Sequence, residues 1–381
     1  MEKLGIYVHI PFCKKKCKYC DFISFSCDEG KYKEYIDALE NEIRNTSKNI
    51  VPNIHEVSTI YIGGGTPSLI DPIYIERILK TIYQNIKVAG NVEITIEINP
   101  GTVTREKLET YKKLGINRLS IGLQTTDDKL LSLIGRIHTY GEFLETYNTA
   151  REIGFTNINV DLMLALPTQT EKILVDSLLK VIKLNPNHIS LYSLILEEGT
   201  VLEKEIEEGK YELVDEDLER KMYHKTKNIL EKNGYNHYEI SNFAKKGYES
   251  KHNLDCWEQR EYLGFGLAAH SYYRNKRFSN TNDLDEYIRN IKEFKFTKNV
   301  ETHEIQDRES KAKEFMLLGL RKINGVSISE FERRFRVHPL FYFRFEISRL
   351  DEEGLLEVDL DNIRLTKKGL DLANQVFEAF V

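Results

Sequence analysis

Residues 7–20 read YVHIPFCKKKCKYC, in which a β-rich run leads directly into three cysteines, Cys13, Cys17 and Cys20. Three thiolates at this spacing can surround one small cluster from a compact loop. A 4Fe–4S cluster ordinarily takes four cysteine ligands. Three ligands leave one iron open, and an open iron can bind a chelating ligand such as the amino and carboxylate groups of S-adenosylmethionine (SAM). The segment therefore predicts an iron–sulfur site after the first strand.

Two other interpretations of these cysteines stay open. Structural zinc takes four ligands, often as two spaced pairs, and the chain has no second CxxC pair, although His9 could be a fourth ligand. A chance group of buried thiols is the other interpretation. Four lysines lie among the cysteines, at positions 14, 15, 16 and 18. They either lower the pKa of the thiols, which favours thiolates, or form a solvated basic loop.

Composition limits the class of protein. The 381 residues are 41% hydrophobic and 30% charged, with a net charge of −6, which is ordinary for a soluble globular chain and gives no sign of nucleic-acid binding. An odd count of five cysteines does not suit a secreted disulfide scaffold. Cys27 and Cys256 stand apart, and we expect Cys27 to be a free buried thiol. Because no signal peptide or membrane span is recognisable, we expect a cytoplasmic protein.

Short β-rich runs alternate with helical patterns through the first 200 residues. The predicted strands are GIYVHI, STIYIGG, NVEITIEINP, INRLSIGLQ, NINVDLMLALP and HISLYSLIL. Between them lie stretches with apolar residues at helical spacing, such as KYKEYIDALENEIR and EKILVDSLLKVIKL. Such alternation predicts an α/β protein with a parallel sheet. Six strands are too few for a closed eight-stranded barrel, so we predict an open, partial (β/α)6 barrel.

The pattern changes after about residue 200. Residues 215–233 predict a helix that Gly234 ends. The irregular, aromatic-rich stretch 235–273 holds too many Gly, Asn and Ser for one helix, and we predict that it forms strand and loop closing the sheet. Residues 284–296 predict another helix.

The last part of the chain predicts a separate small domain. The predicted order is helix, turn, helix, helix and a short hairpin around Asp361-Asn362, which is the order of a winged-helix-like α+β domain. Within it, VSISEFERRF at residues 326–335 predicts a helix with a serine at its start. Residues 301–381 hold 13 Lys+Arg against 16 Asp+Glu, a net −3, which disfavours DNA binding. We therefore predict a barrel over residues 1–235, a barrel-closing and linking region over 236–300, and a C-terminal domain over 301–381.

Seven motifs occur in order along nearly the whole chain. They are YVHIPFCKKKCKYC, YIGGGTPS, EINPGT, SIGLQT, VDLMLALPTQT, YEISNFA and YLGFGLAAHSY. Together they resemble the oxygen-independent coproporphyrinogen III oxidase family of radical SAM proteins. The resemblance implies a radical SAM partial barrel in which the three clustered cysteines hold a 4Fe–4S cluster that binds SAM.

Two positions indicate a branch of that family. The decarboxylating oxidases carry a further cysteine two residues after the third ligand, where this chain has Phe22. The branch of heme chaperones shows this replacement and carries a His-Asn-x-x-Tyr-Trp motif, which HNLDCW from His252 to Trp257 matches with Cys256 at the tyrosine position. The resemblance implies a chaperone that passes heme to an acceptor protein, for example a membrane-associated respiratory protein.

The turn after the second strand and the end of the third are candidate SAM contacts. Gly64, Gly65 and Thr66 follow the second strand, and glycine lets a ligand approach the backbone closely. In relatives this segment contacts the amino-acid end of SAM. Glu97 could accept hydrogen bonds from a ribose diol. Its place inside the apolar strand ITIEINP argues against a surface glutamate, because a charge there needs a partner.

Other candidates depend on the resemblance and on strand position. Gln124 and Asp161 lie at or near the ends of the fourth and fifth strands, and Arg136 follows a short helix; in the family these positions contact SAM or a second SAM-like ligand. Tyr7 matches a family tyrosine near the SAM sulfonium, and Tyr19 could pack over the adenine, although both could be packing residues. Because the carboxyl ends of parallel strands meet at one edge of a sheet, we expect these side chains to converge.

His252 is the candidate heme ligand. A neutral imidazole can take an axial position on heme iron, Cys256 could do so as a thiolate, and Trp257 could stack on the macrocycle; the alternative is a histidine hydrogen-bonded in a loop. Three functions therefore stay open. They are a heme chaperone, a radical enzyme that oxidatively decarboxylates coproporphyrinogen III, and a zinc-stabilised adaptor.

Overall fold

The computed structural model describes residues 2–26, 29–50 and 55–381. Its strands are β1 Glu2–Ile10, β2 His55–Gly64, β3 Val88–Ile98, β4 Arg118–Gln124, β5 Asn157–Leu164, β6 His188–Ser193, β7 Asn236–Glu239, β8 Asn242–Ala244, β9 Tyr262–Phe265, β10 His270–Tyr273, β11 Lys276–Asn280, β12 Val300–Ile305, β13 Val326–Ser327, β14 Leu356–Val358 and β15 Asn362–Leu365.

The α-helices alternate with these strands in the first half of the chain. They are α1 Glu29–Ser47, α2 Pro72–Asn85, α3 Arg105–Lys113, α4 Asp128–Leu133, α5 Tyr140–Ile153, α6 Glu171–Lys183, α7 Val201–Glu207, α8 Glu216–Lys232, α9 Lys251–Trp257, α10 Leu284–Lys292, α11 Arg308–Gly319, α12 Ile328–Phe335, α13 Pro339–Tyr342, α14 Arg344–Glu352, α15 Lys367–Asp371 and α16 Ala373–Glu378. Within the described ranges, no helix combines the length and apolarity needed to cross a bilayer.

Six parallel strands form the centre of the molecule. β1 to β6 are neighbours in chain order, and each adjacent pair is parallel. Helices lie in the connections, and side-chain caps set their starts: Asp71 for α2, Thr104 for α3, Thr139 for α5 and Thr170 for α6. The predicted partial (β/α)6 barrel is confirmed.

The central strands carry apolar and polar residues in alternation. In β5, Ile158, Val160 and Leu162 are fully buried, while Asn159 and Asp161 point to the opposite face of the sheet. That face is the barrel interior, because Asp161 lines a cavity there. Parallel strands that are buried on both faces are ordinarily apolar throughout. The polar residues of these strands therefore face the barrel interior.

Strands from the second half of the chain extend both edges of the six. β9 pairs with β1 in parallel and is followed by β10, β11 and β12, whereas β8 and β7 add antiparallel strands beside β6. The prediction of strand and loop over residues 235–273 is wrong at residues 251–257, which form α9. This helix begins where the Ser250 side chain accepts from the Asn253 backbone N–H, and its seven residues are too few to produce a periodic pattern.

The C-terminal segment has its own core and a three-stranded sheet in the order β13-β15-β14. Helices α11, α12 and α14 precede the β14–β15 hairpin, so the predicted winged-helix-like α+β module is confirmed. Ser327 caps α12 as expected, whereas α15 and α16 were not predicted. The module contacts the barrel through Arg277 Nε, 2.8 Å from Glu314 Oε1, and through the Ile240 N–H, which donates to the Arg321 carbonyl at 3.1 Å.

Candidate functional site

A cavity of about 380 Å³ opens where β2 to β6 end at their carboxyl termini. Eleven of the thirteen predicted site residues line it: Cys13, Cys17, Tyr19, Cys20, Gly64, Gly65, Thr66, Glu97, Gln124, Arg136 and Asp161. Tyr7 and His252 are outside this lining. The expected convergence at one edge of the sheet is therefore found for all but two of the candidates.

The cysteine loop follows β1 and is held by backbone hydrogen bonds. The Cys13 N–H donates to the Phe25 carbonyl at 2.9 Å, and the Cys20 N–H donates to the Cys17 carbonyl at 3.3 Å. Cys13, Cys17 and Cys20 are half-buried free thiols. Cys13 Sγ lies 3.4 Å from Thr66 Oγ1, which joins the loop to the glycine turn after β2. Cys27 lies outside the described residues.

The lysines do not activate all three thiols. Burial raises the pKa of Cys20 to about 11, and the opposing effect of Lys16 is smaller. Lys18 is engaged elsewhere, because its Nζ lies 2.8 Å from each carboxylate oxygen of Glu205. At Cys20 burial therefore outweighs the lysines, and the exposed Lys14, Lys15 and Lys16 favour the alternative of a solvated basic loop.

His9 is not available as a zinc ligand. Its Nε2 lies 3.0 Å from the Ile23 carbonyl and its Nδ1 lies 3.0 Å from Tyr7 Oη, so both ring nitrogens are used. Burial lowers the pKa of His9, which keeps the ring neutral. Over the ranges 2–26, 29–50 and 55–381, no group of three His, Cys, Asp or Glu side chains is arranged to hold a single metal ion. The half-buried cysteine loop suits a larger cluster better than zinc.

The glycine turn after β2 forms a cradle beside the cysteines. A Cβ on Gly65 would lie 2.9 Å from the Phe12 carbonyl oxygen and 3.0 Å from Cys13 Sγ. Gly64 adopts a φ of +113°, which L side chains rarely adopt. Only glycine therefore lets this turn pack directly against the cysteine loop, which places its backbone beside the cavity.

Glu97 is a half-buried carboxylate at the cavity wall. It accepts the Tyr61 hydroxyl at 2.8 Å and the Gly64 backbone N–H at 3.1 Å. Burial raises its pKa to about 7, and the Tyr61 hydrogen bond opposes that shift. The predicted need for a partner is met by two neutral donors, so Glu97 keeps acceptor capacity for a ligand.

Arg136 joins two strand ends to the cysteine loop. Its Nη2 donates to Asn99 Oδ1 at 2.8 Å and to the Gly122 carbonyl, and its Nη1 lies 3.7 Å from Cys17 Sγ. A Cβ on Gly122 would come within 3.0 Å of this guanidinium. Glycine at that position therefore lets Arg136 reach the backbone and place its charge beside a predicted cluster ligand.

Asp161 and Gln124 occupy neighbouring strands. Asp161 Oδ1 accepts from Asn159 Nδ2 at 2.7 Å, and its Oδ2 lies 3.4 Å from Ser120 Oγ. Burial raises the pKa of Asp161, and the bond from Asn159 opposes that rise. Gln124 ends β4 with a φ of +74°, beside an irregularity in the pairing of β4 with β5. Such left-handed backbone is uncommon for glutamine and turns the chain at the rim of the cavity.

The two tyrosines lie in different surroundings. Tyr19 lines the cavity and packs beside the small apolar cluster of Leu130, Ile134, Met163 and Leu166. Tyr7 lies on β1 outside the lining, with its ring centroid 6.2 Å from that of Tyr61. Tyr61 does line the cavity, so Tyr7 packs against a lining residue without lining the cavity itself.

His252 does not line the cavity, but its ring centroid lies 5.3 Å from that of Tyr61, which does. It is on α9, is 8% exposed, and has its Nδ1 2.9 Å from Thr59 Oγ1. Burial, with a smaller effect of Arg118, lowers its pKa to about 4. Of its motif partners, Cys256 has a pKa that burial raises to about 12, and Trp257 has the Arg321 guanidinium 4.6 Å from its ring centre. The imidazole is therefore neutral, but enclosed.

Several cavity residues were not singled out from the sequence. They include Tyr61, Asn99, Ser120, Gly122, Tyr192 and Ile195. The inward half of the strand alternation could have indicated Tyr61 and Ser120. The pairing of Asn99 with Arg136 carries no local signal, because it depends on where two separate loops meet.

Comparison with known proteins identifies the family. Residues 7–181 match the radical SAM superfamily and residues 306–372 match the HemN C-terminal domain. Two curated relatives are heme chaperones named HemW. The protein from Bacillus subtilis is 39% identical, with 98% of each chain covered, and that from Lactococcus lactis is 37% identical, with 98% of this chain and 96% of that one covered.

A solved structure agrees with this assignment. Coproporphyrinogen III oxidase (HemN) from Escherichia coli, a radical SAM enzyme, matches with a TM-score of 0.86 at 26% identity, over 100% of this chain and 90% of that one. Both the barrel and the C-terminal module are therefore shared. The chain belongs to the HemW family of the radical SAM superfamily.

Proposed function

We propose that this chain is a heme chaperone that binds heme, transfers it to an acceptor protein and carries a SAM-bound 4Fe–4S cluster. The observation that carries the proposal is its 39% identity, over 98% of its length, to a protein named heme chaperone HemW. Phe22 supports it: this ring, at the position where the oxidases have a further cysteine, is 62% exposed and lines the cavity. The cavity thus presents an apolar surface where those oxidases present a thiol.

The radical SAM superfamily implies a 4Fe–4S cluster and SAM as cofactors. Cys13, Cys17 and Cys20 would hold the cluster and leave one iron for the amino and carboxylate groups of SAM. The turn from Gly64 to Thr66 would bind the amino-acid end through its backbone, and Glu97 would accept hydrogen bonds from the ribose. When bound, the pair supplies one-electron chemistry.

The remaining cavity residues would orient SAM or a second SAM-like ligand. Arg136 would supply positive charge next to the cluster, supported by its 3.7 Å approach to Cys17 Sγ. Gln124 and Asp161 would provide hydrogen bonds from the rims of β4 and β5. Tyr19 would pack over the adenine. We propose that Tyr7 supports the sulfonium end of SAM by packing against Tyr61, which lines the cavity.

His252 is proposed as the axial heme ligand. Its lowered pKa keeps the imidazole neutral, which is the form that binds heme iron. Because Nδ1 is engaged with Thr59, the ligand atom would be Nε2. The ring is 8% exposed, so heme binding would require α9 to move away from β2.

Heme titration tests this assignment. We expect a Soret band on adding heme to the wild-type chain and a weakened, shifted band in His252→Ala. His270→Ala is the matched control, since His270 is an exposed histidine at the start of β10, and its spectrum should equal that of the wild type. An unchanged spectrum in His252→Ala would remove His252 as ligand. Failure to pass heme to a heme-free respiratory enzyme would remove the chaperone function.

Coproporphyrinogen III oxidase is the second candidate function. The match to HemN at a TM-score of 0.86 over the whole chain favours it. The reconstituted chain should be incubated anaerobically with SAM, a reductant and coproporphyrinogen III. We expect no product; formation of protoporphyrinogen IX would replace the chaperone proposal with the oxidase.

We propose three functional parts: the SAM barrel over residues 1–235, the barrel-closing region with HNLDCW over 236–300, and a docking domain over 301–381. Separate apolar cores over residues 4–291 and 312–380 support a distinct C-terminal part. The acceptor is proposed to be a membrane-associated respiratory protein. The free thiols of the cysteine loop favour a reducing compartment, for which we propose the cytoplasm.

A further inference from the structure

A chain of hydrogen bonds runs from the cavity to the first turn of α9. Asp161 accepts from Asn159 Nδ2 at 2.7 Å, and Asn159 Oδ1 lies 2.6 Å from His188 Nδ1. His188 Nε2 lies 2.7 Å from Tyr238 Oη, which accepts the Ser250 backbone N–H at 3.2 Å. Ser250 is the N-cap of α9. Residues of β5, β6 and β7 therefore connect the candidate SAM cavity to the helix that carries HNLDCW.

The donors in this chain all point toward Asp161. Tyr238 accepts the Ser250 N–H, and its own hydroxyl proton can be donated to His188 Nε2. His188 then carries its ring proton on Nδ1 and donates it to Asn159 Oδ1. With its oxygen engaged, Asn159 must turn its NH₂ group to Asp161. Each hydrogen bond therefore fixes the direction of the next.

The charges around the chain support this direction. His188 and Asn159 are fully buried, and Arg118 is 2% exposed. Burial and the nearby Arg118 hold the pKa of His188 well below its usual range, so the ring has one proton and one acceptor nitrogen. Ser190 Oγ also donates to Asn159 Oδ1 at 3.2 Å. The Asn159 oxygen thus accepts from two donors, which leaves its NH₂ group to donate to Asp161 and, at 2.8 Å, to Ser120 Oγ.

We propose that His188 and Tyr238 are positioning residues for Asp161, and that through them the SAM cavity and α9 are energetically coupled. The proposal rests on the proposed function, because it requires Asp161 to contact SAM. Loss of either residue frees the Asn159 amide to turn and present its oxygen to the Asp161 carboxylate. Because coupling between two sites is reciprocal, SAM stabilises the first turn of α9, and a disturbed first turn weakens SAM binding.

The first test measures SAM affinity by equilibrium dialysis on the anaerobically reconstituted chain. Tyr238→Phe removes both hydrogen bonds of the hydroxyl with little change in shape, and we expect SAM to bind about fivefold more weakly. In an Asp161→Asn background the same substitution should have no further effect, because the group it positions is gone.

Tyr223→Phe is the matched control. The Tyr223 hydroxyl is also buried, lies 3.2 Å from His237 Nε2 and donates to the Ile240 carbonyl at 3.0 Å, but it has no link to Asp161. Its loss should leave SAM affinity unchanged. Equal weakening by Tyr223→Phe and Tyr238→Phe would overturn the proposal in favour of general packing, and so would an unaltered affinity in Tyr238→Phe.

The second test follows α9 itself by hydrogen–deuterium exchange. We expect SAM to slow exchange in residues 251–257 of the wild-type chain and to lose most of that effect in Tyr238→Phe. Equal exchange rates in α9 with and without SAM would overturn the proposed coupling. If Asp161→Asn binds SAM as tightly as the wild type, Asp161 does not contact SAM and the proposed coupling is wrong. The heme titration and transfer experiments decide the chaperone function separately.

Discussion

The packed interior and the candidate SAM cavity each contain a buried or half-buried carboxylate, and the two can be compared directly. Glu42 on α1 and Glu97 on β3 both have a pKa that burial raises to about 7. Each accepts a tyrosine hydroxyl and a glycine backbone N–H. Glu42 also accepts from Asn280 Nδ2 at 2.6 Å, whereas Glu97 lines the cavity, and the described residues provide it with no third donor. The difference teaches that unused acceptor capacity on a partly exposed group, and not a raised pKa, distinguishes a ligand site from a packed one.

The largest contrast between the two regions is expected at the cysteines. Cys17→Ala should reduce iron and acid-labile sulfide after anaerobic reconstitution to background, because two thiolates cannot retain a cluster built for three. Cys256→Ala is the control, since this half-buried thiol lies on α9 outside the cavity lining, and it should keep the full cluster content. Equal iron in the two variants would contradict the cluster assignment.

Removing the Glu42 carboxylate should lower the free energy of unfolding more than removing that of Glu97. Glu42→Ala leaves three donors in the packed interior without an acceptor, and we expect a loss of about 3 kcal/mol in the free energy of unfolding. Glu97→Ala strands two donors beside a cavity that water can enter, so its loss should be about 1 kcal/mol. Urea unfolding of both variants measures the difference, and a reversed order would break the comparison.

In SAM binding, we expect the larger effect from the substitution of Glu97 and none from that of Glu42. Glu97→Gln retains the shape of the side chain but removes the charge that would accept from the ribose diol, and SAM should bind about tenfold more weakly. Glu42→Gln should bind SAM as the wild type does. Equilibrium dialysis of the two reconstituted variants gives both values, and equal affinities would show that Glu97 does not face the ribose.

Glu42 also contributes a pH dependence of stability, whose slope at any one pH is small. Its pKa is raised from 4.5 to about 7 in the native state, so native protein binds more protons than unfolded protein in that window. Stability therefore falls as pH rises from 4.5 to about 7, by at most about 1.4 kcal/mol per pH unit. Glu42→Gln should make the urea-unfolding profile shallower across this range, and the part of the slope that Glu97 contributes through its own pKa of about 7 should remain. A profile as steep as that of the wild type would place the titration on other groups.

Local sequence was sufficient for the features that neighbouring residues determine. The six strands, the start of α12 at Ser327 and the cysteine loop were predicted because hydrophobic period, capping and spacing act over a few residues. The cavity lining was largely predicted as well, since parallel strands place their carboxyl ends together. Helix α9 was missed because its seven residues are too few to show a period.

Long-range contacts were beyond sequence reasoning. The sequence left open whether the lysines lower the pKa of the thiols or form a solvated basic loop, and the structure shows that burial dominates at Cys20. His252 was considered as a loop residue, yet it is enclosed against Thr59. The partners of Arg136, and the alignment of His188 with Tyr238, join strands and loops that lie far apart in the chain.

By itself the sequence predicted a cluster-binding loop and determined the order of the parallel strands, because cysteine spacing, hydrophobic period and the succession of strand and helix are properties of residues close in the chain. Only the tertiary structure decided which polar residues meet a cavity and which are saturated by one another. The reason is that burial and hydrogen-bond saturation are set by neighbours from distant segments, as the unequal surroundings of Glu42 and Glu97 show.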